Sequence, residues 1–239
     1  MFKRIIAVFV GVLLTVQVGF SQTGAENELL EYEIYYGVIS LGKAEISTQS
    51  LTIKNRKVIH AVARFATIGE ARRLFEIDDI YESYFDAETF LPLKFIANIK
   101  EEKYKFSNEV LFFHKSNKAK TTNFGEVGIQ KGTRDIVSAF LYARKMKMNT
   151  LKPNDVVDIS GFLKKNTVDT KLRYKGLKSI KIGGKNYECM QFSPMVYSPK
   201  LVNPEKDVVI YFSNDVQRIP LRIEVKLPAG SFRADLKKR

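Results

Sequence analysis

Apolar and polar residues alternate one for one along much of this chain. That pattern admits little besides β-strands with one face buried and one face wet. Leu30, Tyr32, Ile34 and Tyr36 alternate with Glu31, Glu33 and Tyr35. In Lys57–Ala66, Ile59, Ala61, Ala63 and Phe65 share one side, and Val58, His60, Val62 and Arg64 take the other. Leu221, Ile223, Val225 and Leu227 alternate with Arg222, Glu224 and Lys226. Further strands are expected at Lys43–Gln49, Asp79–Phe85, Leu93–Ile99, Lys103–His114, Asp155–Phe162, Asp169–Tyr174, Ile180–Ile182, Tyr187–Phe192, Asp207–Phe212 and Ser231–Leu236. Turn signals such as Asp86-Ala87-Glu88-Thr89, Ser116-Asn117-Lys118 and Gly183-Gly184 separate them. Ser198–Glu205, with Pro199 and Pro204, reads as a loop. Roughly eleven to thirteen strands at this spacing predict an all-β sandwich or barrel.

One segment breaks the alternation. Thr133–Met148 holds Ile136, Val137, Phe140, Leu141 and Ala143 at helical spacing, without Gly or Pro. Thr133 or Arg134-Asp135 lies where a helix start favours an oxygen-bearing cap and early negative charge. Arg144, Lys145 and Lys147 lie in the expected last turns. The spacing predicts a helix over 133–148 whose broad apolar face packs on the concave side of the sheet. Gly69–Phe75 suits one or two helical turns. No linker divides the chain, so residues 22–239 are expected to form a single all-β domain. A domain of this size can bury enough surface to need neither disulfide nor metal.

Residues 1–21 read as a cleaved signal peptide: Lys3-Arg4, an apolar run from Ile5 to Phe20, then Gly19-Phe20-Ser21 before Gln22. The expected location is the periplasm, free or in association with the outer membrane. The formal charge is +13, and +11 once Lys3 and Arg4 are removed with no acid. An exported basic protein meets anionic lipids and acidic glycans rather than nucleic acid. The single cysteine, Cys189, allows no intrachain disulfide, and it reads as a small buried residue in a strand. His60 reads as a strand-face residue. His60 and His114 are the two histidines of the sequence, isolated from each other, which argues against zinc hydrolysis. No nucleophile elbow, phosphate loop or zinc-protease motif is present. Asp78 and Asp79 offer adjacent carboxylates, a weak basis for hydrolysis. No enzyme activity, metal or cofactor is expected.

Three stretches carry a family resemblance together with the opening Leu30–Gly37. They are Asp79–Asp86 running into Glu88–Leu93, Arg134–Phe140, and Phe212–Pro220 with Gly230-Ser231. Their order and spacing resemble the domain of unknown function 3108, a family of exported Gram-negative proteins. The resemblance implies a half-open, barrel-like antiparallel sheet with one packed α-helix, similar to periplasmic lipoprotein carriers and to envelope proteins of capsule export. It implies no activity.

Two functions are expected in that setting. One is a non-enzymatic periplasmic binding or carrier protein holding a lipid or other amphiphile in the concave sheet. The other is a structural or interaction module linked to surface polysaccharide or outer-membrane assembly. Tyr81, Tyr84, Arg134, Ser138 and Arg218 are the candidate lining of a shared groove.

Overall fold

The computed structural model describes residues 26–145, 148–163, 166–195 and 204–239. The expected signal peptide, residues 1–21, and residues 198–203 of the expected loop lie outside them.

Fourteen strands form one antiparallel sheet among the described residues. In chain order, β1 (Leu29–Tyr36), β2 (Ile39–Ile53), β3 (Arg56–Thr67), β4 (Asp78–Asp86), β5 (Pro92–Glu101), β6 (Tyr104–Phe113), β7 (Lys118–Thr121) and β8 (Gly125–Gly128) make a meander. A second meander comprises β9 (Val156–Leu163), β10 (Asn166–Ile182), β11 (Lys185–Met195), β12 (Val208–Ser213), β13 (Pro220–Leu227) and β14 (Gly230–Lys238). Pairing of β1 with β14 joins the two, leaving β8 and β9 as edges. The sheet is therefore not closed into a barrel.

The alternation read from the sequence sets the register. Ala61 lies opposite Thr48 and Ser83, and Ser83 opposite Phe95, all facing inward. Their neighbours His60, Glu82 and Tyr84 face outward. Small side chains at Ala61, Ala63 and Ala97 leave room on the inner face. That room is filled by α2 (Ile136–Ala143), the second of three α-helices among the described residues, after α1 (Gly69–Leu74) and before α3 (Pro204–Asp207). All eight residues of α2 are buried. An isolated sheet wet on both faces would expose its apolar rows. Wrapping them around one helix hides both elements.

The helix is shorter than the expected 133–148, and it is covered all round rather than on one face. Arg134 stays extended and makes a parallel bridge to Gly161 of β9. Asp135 then caps the helix, its Oδ1 accepting the Val137 and Ser138 amides at 2.8 and 3.0 Å. At the other end Arg144 is the C-cap, and Met148–Thr150 forms a separate 3-10 turn. A helix apolar on all sides belongs inside. Its core setting, with strands on more than one side, was not legible from spacing alone.

β10 runs unbroken where two strands were expected. A register shift between Tyr174 and Gly176, with Gly176 at φ +106°, bends it instead. Gly183 and Gly184 both have positive φ, as a two-residue hairpin turn of the primed type requires. Beyond the turn, Cys189 is fully buried, and burial pushes its thiol up to about 11. Such a thiol is protonated and unreactive at neutral pH.

Candidate functional site

The loop between β4 and β5 is built first. The Asp86 side chain accepts the Thr89 amide and hydroxyl, both at 2.7 Å, and the Phe90 amide donates to the Asp86 carbonyl. This turn forces Phe90 to φ +57° and drives its ring into the core, against Phe85 at 4.9 Å and Tyr142 at 5.7 Å. Arg134 reaches the same place. Its guanidinium lies 3.6 Å from the Tyr142 ring centre and donates to the carbonyls of Gly132 at 2.9 Å and Thr89 at 2.7 Å. Lys145 Nζ stands 4.3 Å from the Phe90 ring centre.

This cluster sits where the sheet fails to close. Phe162 of β9 donates its amide to the Arg134 carbonyl, and its ring meets Phe112 of β6 edge-on at 5.5 Å. Phe112 in turn stacks near His114, whose Nε2 is 2.8 Å from the Pro92 carbonyl oxygen. Ends of the sheet that share no ladder thus approach through aromatic rings and the Arg134 segment.

The electrostatics of this seam are lopsided. Arg134 is only 5% exposed, and it makes no ion pair among the described residues. Burial lowers its guanidinium to about 10. The His114 ring is held below its ordinary value by burial, with the charges of Arg134 and Arg56 adding to that. Arg134 Nε and His114 Nδ1 are both buried without a hydrogen-bond partner. The nearest carboxylate in sequence, Asp135, is turned away. Its Oδ2 accepts the hydroxyls of Ser83 at 2.6 Å and Ser138 at 2.9 Å.

The five residues expected in one groove therefore separate. Ser138 lies beneath the first helical turn with Asp135. Tyr81 faces the same turn across an apolar cavity of about 20 Å³, lined also by Ile46, Phe65 and Phe140. That space matches a single water, but its lining offers few polar partners to hold one. Tyr84 is on the outer face, stacked on His60 at 4.1 Å, with His60 Nε2 2.9 Å from Glu82. Arg218 is at the far end of α2, donating to the Arg144 carbonyl at 3.4 Å and to Asn149 Oδ1 at 2.7 Å. The shared-groove expectation is corrected: period-two alternation puts Tyr81 and Tyr84 on opposite faces, and the helix separates Arg134 from Arg218. Phe90, His114, Tyr142 and Phe162 were missed as neighbours of Arg134. Only the turn signal at Asp86–Thr89 hinted at that corner.

Asp78 and Asp79 also part across the sheet. Asp78 borders a shallow outer depression of about 470 Å³ with Asn98, Lys100, Lys105 and Ser107. Asp79 is fully buried, accepting the Lys100 amide at 3.0 Å and the Tyr81 hydroxyl at 3.4 Å. They cannot converge on one substrate as an acid–base pair does. Burial raises the Asp79 carboxyl to about 7, with the Glu101 and Asp78 charges adding to that effect and the Lys100 amide opposing it. An unfolded aspartate titrates near 4, so the folded state holds this proton more tightly. Its contribution to stability is complete below about pH 4 and is lost as pH rises towards 7. Asp79→Asn should remove that fall. In urea melts at pH 4.5 and 8, the variant should gain on the wild type at pH 8 alone. Equal shifts at both pH values would refute the assignment.

Among the described residues, no group of three or more His, Cys, Asp or Glu gathers as a metal set. No helix among them is long and apolar enough to cross a membrane.

The fold is similar to a β-barrel-like protein of the domain of unknown function DUF1849 from Brucella abortus. The TM-score is 0.58 at 12% identity, covering 88% of this chain and 95% of that one. A DUF1089 family protein from Pseudomonas aeruginosa aligns at a TM-score of 0.42 and 9% identity, over 77% of this chain and 89% of that one. No curated protein matches the sequence. The family model described as protein of unknown function (DUF3108) matches residues 31–237, from β1 to β14, and the chain belongs to that family.

Proposed function

We propose that the protein is a non-enzymatic, exported binding protein of the cell envelope that takes up an amphiphile. The observation that carries this reading is the seam. A fourteen-stranded sheet stops short of closure, and where its ends approach, Phe112 packs on Phe162 and Phe90 on Tyr142 in place of a strand ladder. Apolar rings beside a few convergent polar groups are the usual make-up of a small-molecule site. The basic charge favours anionic lipids or glycans as partners. The apolar start at residues 5–20 supports export to the periplasm. The separation of Asp78 from Asp79 favours binding over hydrolysis.

The test is native mass spectrometry of the mature protein, purified without detergent and then offered decanoate. A saturable one-to-one adduct is expected. Its absence at millimolar decanoate would refute uptake of an amphiphile.

One observation favours a second reading, an interaction module tied to surface polysaccharide or outer-membrane assembly. The concave face is occupied by α2 instead of standing open. Crosslinking in cells would then trap one specific envelope partner, and the decanoate adduct would be missing.

A further inference from the structure

We infer that Arg134 is the anion-recognising residue of the seam, selecting a ligand that carries a carboxylate or phosphate group. This inference rests on the amphiphile reading and gives its ligand a chemistry. A guanidinium taken out of water normally finds a carboxylate, because an unpaired buried charge costs several kcal/mol. Arg134 instead has two neutral carbonyls and the face of Tyr142. Such a cation–π contact offsets only about 2 kcal/mol when desolvated. Its Nε proton remains unspent, and so does His114 Nδ1 on the neighbouring strand end.

Among the charged groups nearby, Lys145 Nζ stands over the Phe90 ring and feels the Glu26, Glu88 and Asp86 carboxylates. Arg56 is paired with Asp86 at 2.6 Å, so that acid is already engaged. Asp135 spends its oxygens on Ser83, Ser138 and two helix amides. An entering anion would satisfy the free Nε of Arg134 and pair the buried charge, a charge-assisted bond of the strong kind. Its apolar portion would lie against Phe90, Phe112 and Phe162. Entry requires displacement of the short Arg134–Gly161 bridge, not the breaking of a full ladder.

The experiment is calorimetric titration of the mature protein with four probes: decanoate, decanol, acetate and inorganic phosphate. Decanoate should bind at least about tenfold more tightly than decanol, one factor of ten being about 1.4 kcal/mol. Arg134→Met should abolish that preference, and Arg134→Lys should retain part of it. Should Arg134→Met fail to fold, the wild-type comparison alone decides. Equal binding of decanoate and decanol would overturn the role of Arg134 while leaving amphiphile uptake intact. Binding of acetate or phosphate as tight as decanoate would keep the anion site and overturn the amphiphile. No binding of any probe would overturn both.

Discussion

Arg144→Met should lower stability by about 3–5 kcal/mol, the usual cost of leaving a buried charge without its partner. Arg144 is 1% exposed, although it closes the last turn of α2. It forms a two-pronged ion pair with Glu28, whose side chain is 8% exposed, and donates from Nε to the Gln217 carbonyl at 3.2 Å. Arg239 joins the same carboxylate at 2.7 Å. Arg144 therefore ties the helix to the start of β1 and the β12–β13 turn, and Glu28 carries the link on to Arg239 after β14. Removing it strands Glu28 in a dry corner with a single, more exposed partner. For a domain of this size the melting temperature should fall by on the order of 10 °C. The double variant Glu28→Leu/Arg144→Met removes both charges and should recover much of the loss, since apolar replacements of whole buried pairs are often well tolerated. Urea denaturation checks both. A single variant within about 1 kcal/mol of wild type would show that the pair contributes little.

The second large effect is expected at Asp135. Its two oxygens receive the Val137 and Ser138 amides and the Ser83 and Ser138 hydroxyls. Burial, the dominant influence, raises its carboxyl above the ordinary aspartate value, against those hydrogen bonds. Asp135→Ala would leave three donors without their acceptor, the Ser138 hydroxyl keeping the Asp135 carbonyl at 3.1 Å. A lost cap alone costs about 1 kcal/mol, and each buried unsatisfied group adds about 1–3 kcal/mol. The total should exceed about 3 kcal/mol, with hydrogen exchange of α2 amides speeding up before global unfolding. Asp135→Asn keeps one oxygen for the amides and can donate to a serine hydroxyl. It should cost far less, and an Asn variant as unstable as the Ala variant would show that the negative charge itself is needed.

The fold was legible where one physical rule acts alone. Alternation fixed which face each of β1, β3 and β13 presents, because a one-residue slip would turn every side chain over. The stretch Thr133–Asp135 announced a helix start through its chemistry, but not that Asp135 alone caps it. The helix end was not readable: Arg144 and Lys145 look like solvent-facing terminal residues, yet Arg144 turns inward to Glu28, 116 positions earlier. The seam was illegible for the same reason. Arg134, Phe90, His114 and Phe162 come from four separate stretches, and nothing local marks them as neighbours. Tyr84 was misplaced although its three-residue spacing from Tyr81 puts it on the other face; its partner there, His60, lies one strand away.

The most direct test of the binding account is hydrogen exchange on residues 22–239 with and without saturating decanoate. Slowed exchange should concentrate at residues 86–92, 110–114, 134–142 and 156–162, the segments that line the seam. Unchanged exchange there, or protection confined to the outer depression around Asn98 and Lys105, would contradict it.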